Sequence, residues 1–170
     1  MHLKLYIIDL LKVGNTMSEI TGILEKEAQY ETVPIFGYEL IREVLIPDIL
    51  GEETPKILYW AGKSLARKYP LESTSDIITF FKQAGWGDLK IVKENKNEQI
   101  LELSSEMIEK RMKANGNTTF QLEAGFLAQQ YENQKQAITE TFEHPRKRSE
   151  KVQFTVKSDL KDFVKLETQS

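Results

Sequence analysis

The sequence predicts an α+β domain in which helices pack on one small antiparallel sheet. Three observations carry this reading. Apolar residues recur at helical spacing from Phe36 to Ala84, the period falls to two between Leu89 and Leu103, and it falls to two again from Val152 to Val156 after another helical stretch. Helices and strands are segregated rather than alternating, which is not the pattern of a parallel βαβ sheet.

Taken in order, Leu3, Tyr6, Ile7, Leu10, Leu11 and Val13 share one arc of a helical wheel, with Lys4, Asp9 and Lys12 opposite. This amphipathic segment is too short and too interrupted to span a bilayer, though weak contact with a membrane surface fits it. Residues 1–35 form an extension before the domain, with residues 1–16 upstream of Met17 as a candidate start, and Glu25 to Thr32 are expected to be disordered. The first domain helix runs from Phe36 to about Ile49, ended or kinked by Pro47 and Gly51. A second runs from Pro55 to Tyr69 and closes at Pro70. Ser73 with Asp76 has the spacing of a capping box for a third, residues 74–84.

Leu89 and Ile91, then Gln99, Leu101 and Leu103, alternate around Asn95-Lys96-Asn97 as a hairpin. Ser104 or Ser105 caps a short helix through Met112, terminated at Asn115-Gly116. Thr118 with Gln121 repeats the capping-box spacing and opens a long helix to about Glu143. A last strand, Val152 to Val156, completes the sheet. The domain spans 36–160, and 161–170 form a tail.

Composition excludes several functions. Among 170 residues there is no Cys, which removes disulfides, thiolate nucleophiles and thiolate metal sites. A net charge of −3 lacks the basic excess of a dedicated nucleic-acid binder. His2 and His144 are the only imidazoles, too few and too far apart in sequence to suggest a triad or a histidine metal site. No P-loop, dinucleotide fingerprint or zincin motif occurs.

The strongest local signals are glycines inside helices. Gly62, within Leu58-Tyr-Trp-Ala-Gly-Lys-Ser-Leu-Ala-Arg-Lys68, costs about 1 kcal/mol against Ala and calls for compensation. Gly125, in Ala124-Gly-Phe-Leu-Ala128, repeats the theme. Either the two helices cross at these positions, or the glycines leave room for a ligand beside Tyr59 or Trp60. Gly85-Trp86-Gly87 reads as a corner that swings Trp86 onto the core. Glu123 sits on the most apolar stretch of the chain, where it either reaches solvent or needs a buried partner. Glu39, Arg42 and Glu43 have the spacing of a surface ion-pair set, and the run His144 to Lys151 reads as a basic loop complementing the end of the long helix.

Four blocks, Phe36-Gly-Tyr-Glu-Leu-Ile-Arg-Glu43, Leu58 to Arg67, Phe81-Lys-Gln-Ala-Gly-Trp-Gly87 and Phe120-Gln-Leu-Glu-Ala-Gly-Phe-Leu-Ala128, resemble the YslB-like family of cytoplasmic proteins from Gram-positive bacteria. That family is similar to the 4-vinyl-reductase-type small-molecule-binding domains and to subunits of the TRAPP tethering complex. The superfamily is that of ligand-binding domains in nitric oxide signalling and Golgi transport. The resemblance implies a dimeric domain with an apolar cavity between helices and sheet, while the absent Cys and the missing haem-site histidine set this chain apart from the metal and haem branches. The expectation is therefore a cytoplasmic, non-enzymatic domain without cofactor, holding a small apolar or acyl-type ligand. Trp60, Gly62, Phe81, Trp86, Phe120, Gly125 and Phe126 would form its wall. A homodimeric interaction module with a solid core is the alternative. An enzyme would have to draw on Glu123, Glu39 and Arg42.

Overall fold

The computed structural model describes residues 34–114, 118–146, 148 and 150–163. The amphipathic segment at 3–13, the stretch 25–32, the terminator Asn115-Gly116 and residues 164–170 lie outside them. The chain divides into two compact units, Met1–Pro34 and Ile35–Ser170, and every element below belongs to the second.

Helix α1 (Ile35–Glu39) leads into a π-helical segment (Leu40–Leu45) and then α2 (Ile46–Leu50). The helical run reaches about its expected end, beyond Pro47. It passes through the proline and stops where Gly51 takes a φ of +60°. Pro47 lacks an N–H, and its ring crowds the carbonyl four residues back. The wider turn ahead of it, in which the Ile46 amide reaches back to the Ile41 carbonyl, is a known accommodation of such strain. That extra width also changes which side faces inward: Arg42 is buried, while Phe36, Ile41, Val44, Leu45 and Ile49 are exposed.

After a 3-10 turn (Gly51–Glu53), α3 (Thr54–Lys68) begins with Pro55 in its first turn, as expected. Helix α4 (Thr74–Gln83) carries the expected capping box, with the Asp76 amide donating to Ser73 Oγ. Strands β1 (Asp88–Glu94) and β2 (Glu98–Ser104) form the expected hairpin. Ser105 caps α5 (Glu106–Ala114) by accepting from the Ile108 amide.

The long helix departs from expectation. Helix α6 (Gln121–Lys135) ends at Gln136, whose φ of 53° is left-handed, and the chain then becomes strand β3 (Ala137–Arg146). The Thr118–Gln121 capping box gives way to a start at Phe120, where Thr119 Oγ1 accepts from the Gln121 amide. Strand β4 (Lys151–Phe163) extends past the expected boundary at 160, because Phe163 pairs with Ala137. The run His144 to Lys151 therefore begins in the end of β3 and ends in the start of β4 rather than following a helix.

The sheet is antiparallel, in the order β1-β2-β4-β3, with one more strand than expected. Leu101, Leu103, Val152, Phe154 and Val156 turn one sheet face into the core. Helix α6 is buried from Glu123 to Tyr131, lying against α3 and the β3–β4 pair, as an element apolar on most sides must. At the β3 edge the Thr141 amide donates to the Tyr59 hydroxyl of α3, at 3.3 Å.

Candidate functional site

The widened turn and the start of α6 together bury charge. Arg42 is 6% exposed and Glu123 1%. Arg42 Nη2 lies 2.6 Å from both Glu123 oxygens, and Nη1 donates to the Tyr38 hydroxyl at 2.6 Å. From α5, Arg111 donates to the Thr119 carbonyl at 3.0 Å, and its guanidinium lies 4.4 Å from the centre of the Phe120 ring. Arg111 Nη1 approaches Glu123 at 3.9 Å, and its Nε sits 2.8 Å from Glu43 Oε1. Two guanidiniums and two carboxylates are thus enclosed in one cluster.

The two cations differ in how well they are held. Burial opposes the Arg42 charge, but Glu123 and Tyr38 outweigh it and push its pKa up. Burial and the neighbouring Arg42 leave the Arg111 pKa lowered, although Glu123 and Glu43 resist this. Glu43 is the poorly seated member. Its Oε1 is 3.6 Å from Arg42 Nε and close to Arg111 Nε, yet none of the three atoms is in hydrogen-bond geometry, and all three are buried.

A cleft of about 400 Å³ opens beside this cluster. Arg42, Glu43, Glu52, Thr54, Thr118 and Thr119 are its polar lining; Pro47, Pro55 and Leu58 are the apolar one. On the other side of Glu43 lies a second cleft of about 280 Å³, which Glu39 and Arg111 help to line. Glu39, Arg42 and Glu43 are thus not a surface ion-pair set. Arg42 leaves the surface because the π-helical turn rotates it inward, and it finds its partner on α6.

The glycines do mark a helix crossing. A methyl group on Gly62 would sit 2.1 Å from the Leu122 carbonyl oxygen, and one on Gly125 would sit 1.9 Å from that of Tyr59. Helices α3 and α6 touch there backbone to backbone. Phe81, Trp86, Phe120 and Phe126 are buried in the core around this crossing, with Trp86 edge-on to Phe81 at 5.0 Å and to Phe126 at 5.3 Å. Neither cleft beside Glu43 is lined by these residues or by the two glycines. Trp60 is apart from them, 59% exposed, in an open groove with Tyr59, Phe142 and His144. The corner at Trp86 is as expected, with φ of +70° at Gly85 and +133° at Gly87.

Sequence reasoning passed over Arg111, Tyr38 and Glu143. On β3, Glu143 accepts from Thr119 Oγ1 at 3.0 Å and from the Phe120 amide, so a carboxylate distant in sequence supplies the negative charge favoured at the start of α6. Burial pushes the Glu143 pKa up despite these bonds, and Glu123 adds to the rise. A raised carboxylate pKa means the folded chain binds this proton more tightly than the unfolded one. The stability it contributes is full below the ordinary value of 4.5 and is lost as pH rises through the folded value. Glu143→Gln, which carries no such proton, is expected to gain in melting temperature relative to the parent as pH rises from 4.5. Parallel pH profiles for the two chains would contradict this.

Among the described residues no helix is long and apolar enough to cross a membrane, and no three His, Cys, Asp or Glu side chains cluster to hold a metal ion. Comparison with known proteins places the domain. A crystal structure of a vinyl-4-reductase family protein from Methanocaldococcus jannaschii superposes with a TM-score of 0.60, covering 82% of this chain and 94% of that one at 22% identity, a likeness of fold. The uncharacterized protein YslB of Bacillus subtilis (strain 168) is 47% identical over 129 residues, 76% of this chain and 87% of that protein. The family described as "Protein of unknown function (DUF2507)" matches residues 35–157, which takes in the whole charge cluster and all but the end of the sheet. On that match and that identity, the chain belongs to the YslB-like family.

Proposed function

We propose that the chain is a cytoplasmic domain that binds a small molecule, without transforming it, in the cleft beside Arg42. The observation that supports this is Arg42 itself: buried in a widened helical turn, lining the cleft, with Nε near Glu43 at 3.6 Å but without a hydrogen bond. Enclosing two arginines and two glutamates costs several kcal/mol per ion before pairing, and an apolar set would join the same helices as firmly. Buried charge beside a cleft is the pattern of a site. Binding rather than catalysis fits because Glu123 is committed to Arg42 through both oxygens and Glu143 to the start of α6, so neither is placed to move a proton.

The test is a fragment library titrated into ¹⁵N-labelled protein. Binding is expected to move the amide signals of Glu43, Gly51, Thr54 and Thr119, and to be lost in Pro55→Trp, which fills the cleft from an exposed position. Shifts confined to the Trp60 groove, or unaffected by Pro55→Trp, would overturn the reading. A second reading, a homodimeric interaction module, is supported by the outward apolar residues Phe36, Ile41, Val44, Leu45 and Ile49. Sedimentation as a monomer at micromolar concentration would remove it.

A further inference from the structure

We propose that the ligand of this cleft is a small monocarboxylate with a compact apolar body, and that its carboxylate takes the place of Glu43 between Arg42 and Arg111. The inference rests on the binding reading above and names the chemistry that the site selects.

The cluster already contains one well-seated counterion and one poor one. Glu123 meets Arg42 at 2.6 Å through both oxygens, whereas Glu43 Oε1 lies near two guanidinium Nε atoms without a hydrogen bond to either. The helical backbone of the π segment limits how Glu43 can approach; a free carboxylate entering from the cleft is not tethered and can align with those donors. In-line contacts of this kind are the strong, short, charge-assisted ones. Glu43 has somewhere to go, since its side chain is 17% exposed and stands between the two clefts.

Charge fixes the valence. Arg42 and Arg111 against Glu123 and Glu43 sum to zero, so withdrawing Glu43 leaves one positive charge, which a single carboxylate neutralises. A dianion would overshoot, with Glu52 on the cleft wall opposing it further. A cation would face the two guanidiniums. The rest of the ligand meets Pro47, Pro55 and Leu58, and about 400 Å³ suits a ring or a short branched body.

Three probes with one apolar body separate the possibilities: cyclohexanecarboxylate, cyclohexanecarboxamide and cyclohexylmethylamine, titrated into the labelled full chain and into Glu43→Gln. The carboxylate is expected to bind the parent, with amide shifts at Arg42, Thr54 and Thr119, and the other two to bind at least tenfold more weakly. Glu43→Gln removes the competing side chain, so carboxylate affinity should rise several-fold. If the carboxamide or the amine binds as well as the carboxylate, or if Glu43→Gln weakens carboxylate binding, the exchange is wrong while the cleft remains a site. If no probe binds but library fragments occupy the cleft, the ligand class alone fails. The probe comparison on the parent chain stands even if the variant folds poorly.

Discussion

Gly125→Ala lowers the melting temperature by about 10 °C, the largest loss expected from adding a single carbon. The added methyl would sit 1.9 Å from the Tyr59 carbonyl oxygen and 2.7 Å from its carbon, both rigid backbone atoms that no rotamer change moves aside. Ala is favoured over Gly inside a helix by about 1 kcal/mol, so a net loss requires the crossing to be forced apart against a packed core. A net cost of about 3 kcal/mol corresponds to roughly 6–12 °C for a chain of this size. Gly62→Ala should cost a similar amount, since its methyl would meet the Leu122 carbonyl oxygen at 2.1 Å. The double variant should cost less than the sum, because the helices need separating only once. Thermal melts followed by circular dichroism measure all three. An unchanged melting temperature for Gly125→Ala would mean that the helices do not touch there.

Glu123→Gln should destabilise the chain by about 3–5 kcal/mol, because it leaves the Arg42 guanidinium buried against a neutral amide. Removing both charges restores part of the loss. In Arg42→Met with Glu123→Leu the core keeps its volume and loses the desolvation cost, and such replacements are often neutral or stabilising. Urea denaturation of Arg42→Met, of Glu123→Leu and of the double variant measures the coupling. Additive losses would show that the two residues do not depend on each other.

How much of this was legible in the sequence varies with the physics involved. The capping box at Ser73, the hairpin at Asn95 to Asn97 and the Gly85–Gly87 corner each rest on short-range chemistry that a few residues state, whereas Gly62 and Gly125 fit a helix crossing and a ligand space equally well until the two backbones are seen to touch. Strand β3 was missed because its pattern is inverted. Ile138 and Phe142 face outward while Thr139 and Thr141 are buried, with Thr139 Oγ1 satisfied by Ser158 at 2.9 Å, so apolar periodicity pointed to the wrong face and to a longer helix. The site was obscured by the π-helical turn. A 3.6-residue period puts Phe36, Leu40, Ile41 and Val44 inward and Arg42 outward, and one widened turn reverses both. Pro47 signalled a disturbance, but not its form. Glu123 was recognised as a charge in apolar surroundings, while its partner lay 81 residues away.

The Tyr59 hydroxyl bound to the Thr141 amide has a consequence for how copies of this chain behave when crowded together. An open outer strand is where one molecule can zip onto another and begin a fibre. Here a ring from the neighbouring helix already occupies that rung, so backbone recruitment along this flank is obstructed, and assembly on that side is left to side chains.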